Sequence, residues 1–199
     1  MILRALLALV VVGAFLAGGR WLDYRRFLAT PLPLKAPSTV FVVPRGANLR
    51  QVADELTRLG VLPHPYYLLG LAFQRGDQGR LKAGEFELTQ GMGPADLLER
   101  LTSGKVIQYP ITLVEGWTFR QAVDAVAADP RFGGDLAGKG DAELMTALGR
   151  PGEHPEGRLF PDTYRFPRGT PGLEVLRRAL ERMDQVLAQE WGQRAEGLP

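Results

Sequence analysis

The feature that most constrains the fold of this chain is a segment that occurs twice. Residues 46–54 read GANLRQVAD, and residues 116–124 read GWTFRQAVD. Each copy follows a β-rich run, and each places a helix-capping residue, Asn48 or Thr118, directly before an amphipathic stretch. The glycine permits a tight turn, and the cap accepts from N–H groups that the first helical turn leaves unpaired. The repeat therefore predicts two strand–turn–helix units in an α+β chain, and two copies are too few for a solenoid.

Local patterns place the other elements. β-rich runs predict strands at 39–43, 84–88 and 109–114. Capping residues, prolines and glycines predict helices at 48–60, 65–75, from Pro94 onward, and at 142–148. Apolar residues at helical spacing from 173 to 191 predict a long amphipathic helix whose apolar stripe packs in a core.

Composition narrows the possible functions. The chain has 24 basic and 22 acidic residues and a net charge of +2, which argues against a nucleic-acid-binding protein. It has no cysteine and only two histidines, so we expect no disulfide, no thiolate metal site and no structural metal. We also expect no cofactor.

The N-terminal residues carry an apolar run. Residues 1–22 have about the length that a bilayer crossing requires and predict a transmembrane anchor, with a cleaved signal peptide as the alternative. Residues 23–38 contain three prolines and predict a semi-rigid linker. Arginines and a lysine follow the apolar run, which by the positive-inside rule would keep the rest of the chain in the cytoplasm.

A proline-bracketed stretch at 154–166 concentrates the groups suited to catalysis. Pro155 and Pro161 prevent a continuous helix, so Glu156 is expected on a stiff loop beside aromatic rings. A carboxyl group that apolar rings shield from water can keep its proton near neutral pH and act as a general acid. The alternative is that Glu156 only caps a turn and the rings belong to the core.

Two segments carry a family resemblance. EGRLFPDTY at 156–164 and VEGWTFRQ at 114–121 resemble, in this order, two recurring segments of the endolytic murein transglycosylases, the YceG-like (MltG) family. The resemblance covers nearly the whole chain and implies that Glu156 is the catalytic acid/base. Pro155 and Arg158 replace residues that are more usually apolar or aromatic, and family members continue beyond residue 199, so the chain is expected to be C-terminally truncated.

The resemblance implies a reaction and a location. The expected enzyme is a lytic transglycosylase that cuts the MurNAc–GlcNAc bond within glycan strands and leaves 1,6-anhydromuramyl ends. Its partner would be peptidoglycan, together with cell-wall synthesis machinery. Against the positive-inside rule, the resemblance implies a single-pass inner-membrane protein whose C-terminal part is periplasmic. The alternative function is a membrane-tethered peptidoglycan-binding module without catalysis.

Four further residues are candidates for substrate binding. Asp162 can bind glycan or stabilise a local turn, and Tyr164 can stack on a sugar or fill the core. Trp117 can stack on a sugar, as a sugar platform, or pack in the core, as a core anchor. Glu115 beside it can reach the same substrate-binding cleft as Glu156.

The predicted domain order follows from these observations. After the anchor and the linker, residues 39–108 resemble a LysM-like module, a small α+β unit that grips N-acetylated glycans in other proteins. The alternative for this part is a generic packing unit without a ligand. Residues 109–199 are expected to form the N-terminal part of an α+β catalytic domain.

Overall fold

The computed structural model describes residues 2–132 and 134–195, with side chains from residue 11 onward except residue 17. It divides into two compact units, Met1–Ile107 and Gln108–Pro199. Seven helices and four strands occur in the described part of the chain: α1 (Ile2–Ala29), β1 (Ser38–Val43), α2 (Leu49–Arg58), α3 (Pro65–Arg75), β2 (Gly84–Thr89), α4 (Pro94–Ser103), β3 (Gln108–Thr112), α5 (Phe119–Ala128), α6 (Asp141–Ala147), β4 (Thr163–Pro167) and α7 (Gly172–Gly192).

The first unit packs helices against a two-stranded antiparallel sheet. β1 pairs with β2 from Ser38 opposite Thr89 to Val43 opposite Gly84. Alternate strand residues face the core. Its fully buried side chains include Phe86 from β2 and leucines of α2, α3 and α4: Leu56, Leu68, Leu97, Leu98 and Leu101. The segment predicted as a linker also reaches this core through Phe27, Leu32 and Leu34.

The prediction of a transmembrane helix at 1–22 is wrong. No helix in the described part of the chain combines the length and the apolar character needed to cross a membrane. Instead of ending near residue 22, α1 runs on through Arg20 and Asp23, and Phe27 near its end packs into the core of the first unit. This finding contradicts both the anchor at 1–22 and the single-pass location. The side chains of residues 1–10 in the predicted segment lie outside those that the structure describes.

The second unit packs α5, α6 and α7 beside the antiparallel pair of β3 and β4. The pairing runs from Gln108 opposite Pro167 to Thr112 opposite Thr163. Tyr164 and Phe166 of β4 face a core that includes Val126, Leu144 and Leu176. β4 overlaps the end of the stretch at 154–166 and was not predicted, because its partner strand lies about fifty residues earlier and no local pattern signals the pairing.

The repeated segment forms the same local structure in both units, which confirms the prediction. Each copy has a turn closed by an N–H···O bond of 3.2 Å, from Ala47 to Pro44 and from Trp117 to Val114. The glycine in each turn has a positive φ, 79° at Gly46 and 83° at Gly116. Each following helix begins with a reciprocal capping box, Asn48 with Gln51 in α2 and Thr118 with Gln121 in α5.

Helix α7 is only partly buried. Leu176 and Leu180 lie in the core, whereas Leu187 and Trp191 are 51% and 58% exposed. The apolar stripe predicted along this helix therefore packs in its first half, because the elements that cover it do not extend along its second half within the described residues.

Candidate active site

Strand pairing brings the two family-like segments together. β3 leads into the segment at 114–121, and the segment at 156–164 leads into β4. At the junction the Leu113 N–H donates to the Asp162 carbonyl over 3.0 Å. The hydroxyl groups of Thr112 and Thr163 lie 2.8 Å apart across the pair. Antiparallel pairing therefore places the turn before α5 beside the loop that carries Glu156.

Glu156 occupies a tight turn. The Arg158 N–H donates to the Pro155 carbonyl over 3.2 Å, and Gly157 has a φ of 74°. Positive φ at the third residue of a turn is adopted without strain by glycine, which explains the Glu-Gly pair. Glu115 and Gly116 occupy the corresponding positions of the turn before α5, so each segment presents a glutamate on the same kind of turn.

The Glu156 carboxylate is held at the beginning of α5. The Phe119 N–H, in the first turn of this helix, donates to Glu156 Oε2 over 3.0 Å. A helix N-terminus presents unpaired N–H groups and a partial positive charge, which suit a carboxylate. No hydrogen bond to Oε1 is seen among the described residues, so one oxygen is fixed and the other is open to a ligand.

The surroundings of Glu156 differ from the prediction. Its side chain is exposed rather than shielded by rings. Tyr164 and Phe166 are turned into the core, and Phe160 is half-buried beneath the Arg182 guanidinium, whose central carbon lies 5.6 Å from the ring centre. Aromatic rings therefore do not enclose the Glu156 carboxyl group, contrary to the prediction.

A shallow groove lies beside Glu156. Both of its neighbours, Pro155 and Gly157, line this groove together with Trp117, Leu113 and Pro161. Its volume is only about 40 Å³, far below the roughly 300 Å³ at which ligand pockets commonly begin. The Trp117 side chain is 39% exposed at this edge, and part of its surface is therefore available to a ligand.

A chain of ion pairs ties the Glu156 loop to α7. Arg150 lies 2.5 Å from Asp184 of α7 and 3.4 Å from Glu153. Glu153 Oε2 also lies 2.7 Å from the Arg158 guanidinium, but without hydrogen-bond geometry, so charge rather than a directed bond holds this pair. Connected pairs of partly buried groups restrict a loop more than an isolated surface pair does.

Asp162 and Tyr164 line a different cleft, of about 230 Å³, between the start of β4 and α7. Asp162 accepts from the Thr163 N–H over 2.7 Å, and the Tyr164 hydroxyl donates to the Phe160 carbonyl over 2.8 Å. Burial raises the pKa of Tyr164 to about 12, and the nearby Asp162 charge adds to this. The charges of Arg182 and Arg178 act in the opposite direction.

Four of the five site residues predicted from sequence thus divide into two groups. Glu156 and Trp117 flank the shallow groove, whereas Asp162 and Tyr164 share the cleft against α7. Glu115 is exposed and lines neither of these two hollows.

Sequence reasoning missed the Phe119 N–H and the charged side chains of α7. The first is a backbone group and leaves no signature in side-chain identity. Arg178 and Arg182 are four residues apart and therefore share a helix face, a spacing that the sequence itself shows. Within the described residues, no group of three or more metal-ligating side chains comes together.

Comparisons with known proteins identify the family to which the chain is similar. A sequence profile of the YceG-like family matches residues 41–198. A search of curated proteins found no match. Among solved structures, the chain is similar to a YceG-like protein of Listeria monocytogenes, with 20% identity and a TM-score of 0.36. That alignment covers 78% of this chain and 57% of the other, so this chain spans little more than half the length of that protein.

Proposed function

The chain belongs to the YceG-like family, which is associated with murein transglycosylase activity, and from this premise we propose that it is an endolytic lytic transglycosylase. Its substrate would be the glycan strand of peptidoglycan, cut at the MurNAc–GlcNAc bond within the strand. Glu156 would be the single general acid/base.

The reaction needs only one carboxyl group. Protonated Glu156 donates its proton to the glycosidic oxygen as the bond from that oxygen to the muramic acid C1 breaks. The 6-hydroxyl of the same muramic acid then bonds to C1 and returns its proton to Glu156. The products are a new GlcNAc 4-hydroxyl and a 1,6-anhydro end. Because the attacking hydroxyl belongs to the same sugar, its effective concentration is high and no second carboxylate is needed.

The hydrogen bond from the Phe119 N–H to Glu156 Oε2 carries the proposal. It joins the two family-like segments and fixes the carboxyl group by one oxygen. The remaining oxygen, Oε1, is the one that would exchange the proton with the substrate. Because the Glu156 side chain is exposed, the bound glycan itself would exclude water from the reacting bond.

Trp117 and Glu115 would contact the sugars on either side of the cut. An indole ring presents a flat apolar face, which suits the apolar face of a pyranose ring. Glu115 would accept hydrogen bonds from sugar hydroxyl groups and would take no part in proton transfer.

The reaction class is tested by digesting peptidoglycan in water labelled with heavy oxygen and analysing the fragments by mass spectrometry. A lytic transglycosylase forms anhydro ends that carry no label, because water is not the nucleophile. Labelled reducing ends would identify a hydrolase instead. Retention of the protein on sacculi without any new ends would support a binding module.

A further inference from the structure

The cleft against α7 has a composition that the proposed reaction does not explain. It is lined by Asp162, Tyr164, Arg178, Glu181, Arg182 and Gln185. It therefore carries charges of both signs, supplied by the end of the family-like segment on one side and by one face of α7 on the other.

The two walls of this cleft are fixed to each other. The Phe160 N–H donates to the Ala179 carbonyl of α7 over 3.1 Å, and the Tyr164 hydroxyl donates to the Phe160 carbonyl. Arg182 also stacks over the Phe160 ring. The charged groups are therefore presented on a rigid frame, which reduces the entropy lost when a ligand binds.

The arginines are available to a ligand. Both side chains are exposed, and neither guanidinium makes a hydrogen bond or an ion pair with the described part of the chain. Arg182 lies over the Phe160 ring, and both charges act on Tyr164. A second hollow of about 430 Å³ shares Arg178 and Glu181 with the first and extends along α7 toward Arg165. Ligand pockets commonly hold roughly 300–1,000 Å³, so the two hollows suit a short peptide rather than a single ion.

We propose that this cleft binds the peptide stem that branches from the glycan strand, so that the enzyme recognises both the peptide and the sugar parts of its substrate. This inference rests on the proposed function, because it deepens the substrate class of the same enzyme. Arg178 and Arg182 pair with a stem carboxylate, and Asp162 and Glu181 face an ammonium group of the same peptide. A simple anion such as phosphate is disfavoured, because the two carboxylates line the same cleft.

The position of the cleft fits this role. Glu156 and Asp162 are six residues apart, so they are separated by at most roughly 20 Å of extended chain. A peptide of three to five residues attached to the muramic acid at the cut spans a comparable length, at about 3.5 Å per residue. A strand held at Glu156 can therefore place its stem in the cleft.

The test uses stem peptides released from murein by an amidase and measures their binding to the full chain by calorimetry. We expect saturable binding, weakened about tenfold in the R178Q/R182Q double variant, as loss of two partly exposed charge pairs implies. R194Q, beyond the end of α7, should bind like the parent, and equal thermal unfolding midpoints would show that all variants fold. No binding by the parent, or unchanged binding by the double variant, would overturn the proposal.

A kinetic comparison separates this inference from the proposed function. The parent should cleave peptide-bearing strands with a KM about tenfold lower than that for strands stripped of their peptides. The double variant should lose this preference while its turnover of stripped strands is unchanged. Equal KM values for the parent on both substrates would refute the peptide site and leave the transglycosylase standing. Peptide binding without any cleavage would refute the transglycosylase and leave the cleft.

Discussion

Gly157 determines where the Glu156 carboxyl group lies. Its φ of 74° lets the chain reverse between Pro155 and Arg158, and this reversal brings Glu156 to the first N–H groups of α5. A side chain at position 157 would disfavour that backbone conformation by about 1 kcal/mol. At this scale the site depends on backbone geometry, because one turn and one N–H group fix the carboxylate of an exposed side chain.

Trp117→Ala tests whether the exposed indole is a sugar platform. Loss of a stacking surface worth about 0.5–1.5 kcal/mol should raise KM about three- to tenfold with little change in kcat. Steady-state kinetics on glycan strands would measure this, and Trp117→Phe should restore most of the binding. A fall in the unfolding midpoint with unchanged KM would show instead that Trp117 is a core anchor.

The raised pKa of Tyr164 predicts that the stability of the protein falls at alkaline pH. Because burial raises its pKa to about 12, the folded protein keeps this proton where the unfolded chain, with an ordinary pKa of about 10, loses it. The contribution is fully present below pH 10 and is lost as the pH rises toward 12, by about 2–3 kcal/mol in total.

Urea unfolding at several pH values measures this effect. The free energy of unfolding of the parent should fall more steeply between pH 10 and pH 12 than that of Tyr164→Phe. Tyr164→Phe should also be less stable by about 1 kcal/mol at neutral pH, because it loses the bond to the Phe160 carbonyl. Parallel curves for the two proteins would contradict the assignment.

Among the elements, α7 provides the frame on which the loop and the cleft are built. Its first turn is capped from a distance: Asp135 accepts from the Gly172 N–H over 2.6 Å and from the Leu173 N–H over 3.2 Å. Gly172 has no room for a side chain, since a Cβ there would lie 2.6 Å from a methyl carbon of Leu136. The beginning of the helix is thereby fixed by contacts that a local sequence pattern does not reveal.

Asp135→Ala should therefore destabilise the second unit. Two N–H groups of α7 would lose their acceptor, at a cost of about 1–2 kcal/mol. Chemical unfolding measures the difference, with Asp124→Ala, an exposed aspartate in α5, as the matched control. Equal losses in the two variants would show that Asp135 does not cap α7.

At the scale of the whole molecule, local signals predicted the elements, but they did not predict how the elements combine. The capping residues and glycines of the repeated segment act within a few residues, and the two strand–turn–helix units follow from them. Three features join residues that are far apart in sequence: the pairing of β3 with β4, the hydrogen bond from Phe119 to Glu156, and the cleft against α7. Such contacts depend on packing, which single-residue patterns do not encode.

The failed predictions have the same origin. The apolar run at the N-terminus indicated a membrane anchor, but the helix continues through charged residues and its end packs into the first unit. Aromatic residues near Glu156 suggested a shielded carboxyl group, but the alternation of β4 turns Tyr164 and Phe166 into the core. The LysM-like interpretation of residues 39–108 stays a prediction.

The most direct test of the central claim compares the two glutamates that occupy equivalent Glu-Gly turns. Mass spectrometry would count 1,6-anhydromuramyl ends after peptidoglycan is digested by the parent, Glu156→Gln or Glu115→Gln, each checked for an unchanged unfolding midpoint. We predict that Glu156→Gln lowers the rate at least about 100-fold, as loss of a general acid/base does, and that Glu115→Gln lowers it at most about tenfold. Near-parental activity in Glu156→Gln would contradict the account.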